Sequence, residues 1–184
     1  MQRLVQIADA LDTAIEIIGR IAAWSSLALV LLMAYNVLLR YFFRTGSVAL
    51  QEMEWHIMAF LVLICMCYTT LKDGHVQVDI LYGRFSGRWQ RVIAFFSAAL
   101  MVIIAALLLK LCIPYVLQSW SVGESSPDPG GLANRWMLKA LMPAGFALLL
   151  LQSFSAWLRA LAALITGSPQ PPALDAGDEV IHAA

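Results

Sequence analysis

The chain has 184 residues, 61% of them apolar and 13% charged, with a mean hydropathy of +0.76. Soluble domains carry about a quarter charged residues, so this composition excludes a soluble globular protein and points to one embedded in a membrane. Twelve basic residues balance twelve acidic ones, which removes the electrostatic basis for binding nucleic acid.

Residues 3–18 place Leu4, Ile7, Ala8, Leu11, Ile15 and Ile18 at helical spacing, with Arg3, Gln6, Asp9, Thr13 and Glu16 between them. This predicts an N-terminal amphipathic helical extension, suited to the membrane interface or to a partner's surface. The segment contains acids and lacks a short apolar core followed by a small-residue cleavage site, so it is not read as a cleaved signal peptide. Four long apolar runs follow, and they predict helices over about 21–39, 55–71, 92–113 and 141–161. At ~1.5 Å of rise per residue each is long enough to cross a bilayer core. The expected fold class is therefore an all-α membrane protein with four transmembrane helices, forming a single domain over 1–165.

The tryptophans agree with that division. Trp24 and Trp157 flank the first and fourth runs, while Trp55, Trp89, Trp120 and Trp136 stand at or near ends of the others. Indole prefers the headgroup level, where its ring is sheltered and its N–H is wet. Basic residues set the orientation. With the N-terminus inside, the internal segments hold Arg3, Arg20, Lys72, Arg84, Arg88, Arg91 and Arg159, against Arg40, Arg44, Lys110, Arg135 and Lys139 outside. The bias favours cytoplasmic termini. Between the third and fourth runs, 114–136 contains VGESSPDPGGLANRW, whose prolines and Gly-Gly pair predict a structured external turn. The Pro-rich, acidic tail 166–184 is expected to be disordered.

Little in the runs could carry chemistry. Cys65, Cys67 and Cys112 lie in apolar stretches with no metal-ligand spacing, so no metal or cofactor site is expected. No Asp, Glu, Lys or Arg falls at the centre of a run, where a charge costs about 2.5–3.5 kcal/mol to insert. Gly145 is the one glycine inside a run, beside Pro143. A transport path through this chain alone, which would use broken helices or midplane charges, is not expected. Gln152, the strongly polar side chain near a helix centre, fits an interhelical hydrogen bond better than a substrate ligand. His56 lies one turn after Glu52 and fits an interfacial hydrogen bond better than a metal arm or pH-sensitive pair. Glu52 and Glu54 sit close in sequence to Arg40 and Arg44, which favours ion pairing in a polar collar, or with a partner, over acid catalysis. Ser125 and Ser126 lack the context of a nucleophile, and no catalytic residue is assigned.

Two stretches carry a resemblance. NVLLRYFF followed by QEMEWHIMAFLVLICMCYTTLKDGHVQVDILYGRFSGRWQ resembles the small membrane subunit of tripartite ATP-independent periplasmic (TRAP) transporters. SWSVGESSPDPGGL and RWMLKALMPAGFALLLLQ look like the branch associated with mannitol, chloroaromatic or 2-keto acid uptake, with Ala133 and Asn134 where that branch has proline after GGL. The resemblance spans roughly 15–160. It implies a large membrane subunit that moves an organic acid by an elevator motion, coupled to sodium in well-studied members. It also implies a periplasmic binding protein that delivers the substrate. The small subunit would sit in the bacterial inner membrane without a catalytic residue, gripped by lipid and bracing the static part of the large one. Glu52, Glu54, His75 and Asp79 map to the family-like motifs, and Gly130, Gly131, Arg135, Trp136 and Lys139 to the branch-like ones. Packing or membrane-surface positioning is the expected role of each. Two other readings compete: the anchor of a redox complex, which would want paired intramembrane histidines, and a small stand-alone channel, which would want polar pore-lining residues in several helices.

Overall fold

The computed structural model describes residues 2–72 and 85–167, with side chains from residue 6 onward. These residues form four helices: α1 (Gln2–Phe42), α2 (Val48–Leu71), α3 (Gly87–Ser121) and α4 (Trp136–Thr166). Each is long and apolar enough to cross a membrane, and there is no strand among the described residues. The expected class, an all-α membrane protein with four spans, holds.

The amphipathic extension and the first span are one helix of 41 residues. Gly19 and Arg20 alone do not end a helix, and no proline intervenes. Its buried positions run Ala8, Asp12, Ile15, Gly19 and Ala22, with Asn36 further along the same stripe. The alternating steps of four and three are those of helices crossing at a shallow left-handed angle. The aliphatic residues Ile7, Ile17, Ile18 and Ile21 face outward instead. Lipid is as apolar as leucine, so helices in a membrane associate through small and polar side chains while greasy ones face the chains. Trp24 is exposed on α1 as well, near the middle of this long helix.

Helix α2 starts at Ser47, whose hydroxyl accepts the Leu50 N–H at 3.4 Å, so one of the free amides of the first turn is satisfied. Helix α3 passes through Pro114 and ends at Ser121, well beyond the expected end near 113. Proline removes one backbone hydrogen bond and frees the Lys110 carbonyl, while the helix continues on both sides of it. Helix α4 likewise begins earlier than 141 and carries Pro143 within it. It closes on Gly167 in the left-handed conformation, whose N–H reaches the Ala163 carbonyl at 3.0 Å.

Helix α4 is the hub. It packs against α1, α2 and α3, while α3 has its main packing on α4 and leaves most of its own surface outside. Gly145 lets α4 approach α2: a Cβ there would lie 2.8 Å from Leu63 Cβ and 3.1 Å from the Leu63 carbonyl oxygen. Below that point Ile15, Cys67 and Leu71 form a small core with Tyr68 and Leu148. Two aromatic clamps fix the antiparallel register of α3 and α4. Trp120 meets Trp136 edge-on at 4.3 Å, and Phe95 meets Trp157 at 5.9 Å. The stretch of α4 between its two clamp tryptophans is about 31 Å of helix rise, close to the ~30 Å hydrocarbon core. Lys110, expected outside, lies between these clamps.

Candidate functional site

Polar side chains gather at both ends of the bundle. At one end, the connection 122–135 between α3 and α4 folds onto α2 and is pinned by two glutamates. Glu52, buried near the start of α2, accepts the Ser126 hydroxyl and, at 2.6 Å, the Leu132 N–H. The connection also holds itself together. Ser126 N–H reaches the Leu132 carbonyl at 3.1 Å, Gly131 N–H the Asp128 carbonyl at 3.0 Å, and Asp128 N–H the Ser126 hydroxyl at 3.2 Å. Gly130 takes φ 81°, and a Cβ on Gly131 would lie 2.9 Å from Glu52 Oε2, so the Gly-Gly pair supplies both the turn and the seat for the carboxylate.

Glu124 is the second pin. It accepts from Ser119 at 2.6 Å and pairs with Lys139, whose ammonium also lies 4.2 Å from the centre of the Tyr115 ring. Arg135 N–H reaches the Glu124 carbonyl at 2.9 Å, which starts α4, with Asn134 just before it at φ 60°. The Lys139 ammonium, and then the Ser119 hydroxyl, hold the Glu124 carboxyl below its usual range. A depressed folded value means this pin is fully in place above the carboxylate's unfolded pKa of about 4.3, and is lost as pH falls through the folded value. Protease protection of the connection is therefore expected to be flat across neutral pH and to fall only in acid. Glu124→Gln should be cut faster at neutral pH and show less change on acidification. A wild-type profile that falls between pH 8 and 6 would contradict this.

The opposite end is an ion cluster joining α1 to α4. Arg159, almost fully buried, donates through Nε and Nη2 to Asp12 Oδ2 at 3.1 and 2.6 Å, and through Nη2 to Asp9 Oδ1 at 2.6 Å. Ser155 donates to Asp12 Oδ1 at 2.7 Å, its oxygen lying 3.2 Å from the Ala8 carbonyl. A turn further along α1, Glu16 meets Lys72 at 3.2 Å and Arg20 at 2.8 Å. Three helices are thus tied at one level.

The sequence singled out some of these residues and missed others. Glu52, Gly130, Gly131, Arg135, Trp136 and Lys139 come together in the first cluster, although Glu52 pairs with the connection rather than with Arg40 or Arg44. Glu54 turns to Asn36, whose Nδ2 donates at 2.9 Å. Arg40 is exposed at the end of α1 and makes no ion pair among the described residues. His56 uses Nδ1 to donate to the Glu52 carbonyl at 2.7 Å. Gln152 is buried in α4, and its Oε1 has no hydrogen-bond partner among the described residues. His75 and Asp79 lie outside the described residues, as does 168–184. The Asp9, Asp12, Ser155 and Arg159 cluster was missed: each pair stands one turn apart on its own helix, but no local pattern links the two helices across 147 positions.

Two polar end clusters on unbroken helices describe a membrane bundle and leave its company unstated. A family model described as "Tripartite ATP-independent periplasmic transporters, DctQ component" matches residues 29–163, well over half of the chain. The chain belongs to the DctQ family. It is a small permease subunit of a TRAP transporter, a membrane-embedded component that associates with the other parts of such a system. No curated protein matches the chain. The matched region of this DctQ subunit takes in α2, α3, the pinned connection, most of α4 and the last third of α1. Asp9 and Asp12 lie before it, so the family match does not extend to the α1 side of the ion cluster.

Proposed function

We propose that this DctQ subunit is a static brace in the bacterial inner membrane, holding the fixed part of a large elevator-type TRAP subunit that carries an organic acid. The observation that supports it best is that four unbroken helices spend their buried charges on one another. Arg159 and Lys72 are committed to α1, and Glu52 to the connection. A bundle whose polar groups cross-link its own helices resists deformation, and an elevator needs something immobile to slide against.

Cytoplasmic termini fit the distribution of basic residues. With Lys110 between the aromatic clamps, seven internal charges stand against Arg40, Arg44, Arg135 and Lys139 outside. The pinned connection then faces the periplasm, where it is the surface available to the substrate-binding protein. Packing and positioning are the roles proposed for Glu52, Glu54, Gly130, Gly131, Arg135, Trp136 and Lys139.

The test is reconstitution. Vesicles holding the large subunit, this chain and the binding protein are expected to accumulate the organic acid, and vesicles lacking this chain to lose most of that uptake. Full uptake by the large subunit and binding protein alone would remove the bracing role.

A further inference from the structure

Lys110 has no use in the bundle described so far. It is exposed on α3 and makes no hydrogen bond or ion pair among the described residues. Along the helix it stands ten residues from Trp120 and fifteen from Phe95, about 15 and 22 Å of rise from the two aromatic clamps. Its neighbours on the same stripe are Ile103, Leu107, Pro114 and Leu117, all exposed. Pro114 has no N–H, so the Lys110 carbonyl lacks the donor it would normally find four residues on. One residue thus presents an unpaired ammonium and a freed carbonyl within an apolar surface at bilayer depth. Ionisable groups at such depth face protein or a water-filled cavity, where an opposite charge answers them.

We propose that this stripe of α3 docks the large permease subunit, and that Lys110 pairs there with a carboxylate on one of its membrane helices. The inference rests on the bracing role given above. Charge decides the occupant. A second copy of this chain has no acid to offer from its described helices. Asp9 and Asp12 are held by Arg159, Glu16 by Lys72 and Arg20, Glu52 by Ser126 and Leu132, and Glu54 by Asn36. Lipid phosphates lie beyond the clamps, further than the lysine stem extends from that depth.

The experiment is affinity purification of the tagged full chain, co-produced with the large subunit, in mild detergent. Lys110→Arg is expected to recover the large subunit as wild type does, while Lys110→Leu and Lys110→Glu should recover it roughly tenfold less or worse. A photo-crosslinking residue at position 110 should form an adduct with the large subunit, a readout that does not depend on the charge variants folding. An adduct with a second copy, or with lipid only, would overturn the proposal. Recovery by Lys110→Glu equal to wild type would overturn it alone. Failure of the wild-type chain to recover the large subunit would overturn the bracing role as well, so the two failures are distinguishable.

Discussion

Replacing Arg159 with alanine is expected to destabilise the bundle by about 3–5 kcal/mol, the range for stranding one member of a buried ion pair. Arg159 is 4% exposed and Asp12 0%. Removing the guanidinium leaves a carboxylate with Ser155 as its remaining side-chain donor, in a place water does not reach. The two acids are not equivalent. The Asp9 side chain is 48% exposed, so Asp9→Asn should cost no more than a surface pair, about 0–1 kcal/mol. Asp12→Asn should fall between, because Arg159 keeps Asp9. Replacing both buried partners with apolar side chains, Asp12→Leu with Arg159→Met, should recover much of the loss, since no charge is then left buried. Unfolding of the purified subunit in mild detergent, followed by denaturant titration, reads this order directly. An Arg159→Ala midpoint equal to wild type would refute the clamp.

That cluster also marks where the sequence stops being legible. Hydrophobic periodicity located all four spans, because length and apolarity are what a bilayer demands. It could not say which way the helices face. In a soluble protein the apolar stripe of α1, with Ile7 and Ile18, would be the inner one. In lipid Ile7 and Ile18 face outward, and Asp12 and Gly19 mark the interior together with Ala8 and Ile15. Arg159 was legible as a residue beyond an apolar run, with nothing local to distinguish a solvated end from a buried pair 147 positions away. Proline misled in the same manner. Both Pro114 and Pro129 fell within the stretch expected to turn, yet the first, in an apolar context, continues α3 and the second, beside Gly130 and Gly131, lies in the connection. Glu52 was identified as a site residue on resemblance. Its partners, Ser126 and Leu132, lie 74 and 80 positions away and carry no local signal.

Glu52→Ala is the second large expected effect, and it falls on mechanism rather than on the bundle. The carboxylate accepts two hydrogen bonds that hold the connection onto the start of α2, and an ionised acceptor makes each stronger than a neutral one. Alanine strands the Leu132 N–H and frees the Ser126 hydroxyl, while α2 keeps its Ser47 cap. The helices should therefore stay assembled and the 122–135 segment should open, seen as fast cleavage there with the helices still protected. Gly131→Val reaches the same state from the other side, because a side chain at that point drives into Ser126 and Glu52. Glu52→Gln should be intermediate, its amide oxygen able to accept while its NH2 repels a second donor. If the open connection also abolishes uptake in the reconstituted transporter while the large subunit is still recovered, the pinned shape of that surface is what the binding protein meets. Wild-type uptake in both Glu52→Ala and Gly131→Val, with the segment demonstrably cleavable, would leave the two glutamates as architecture alone.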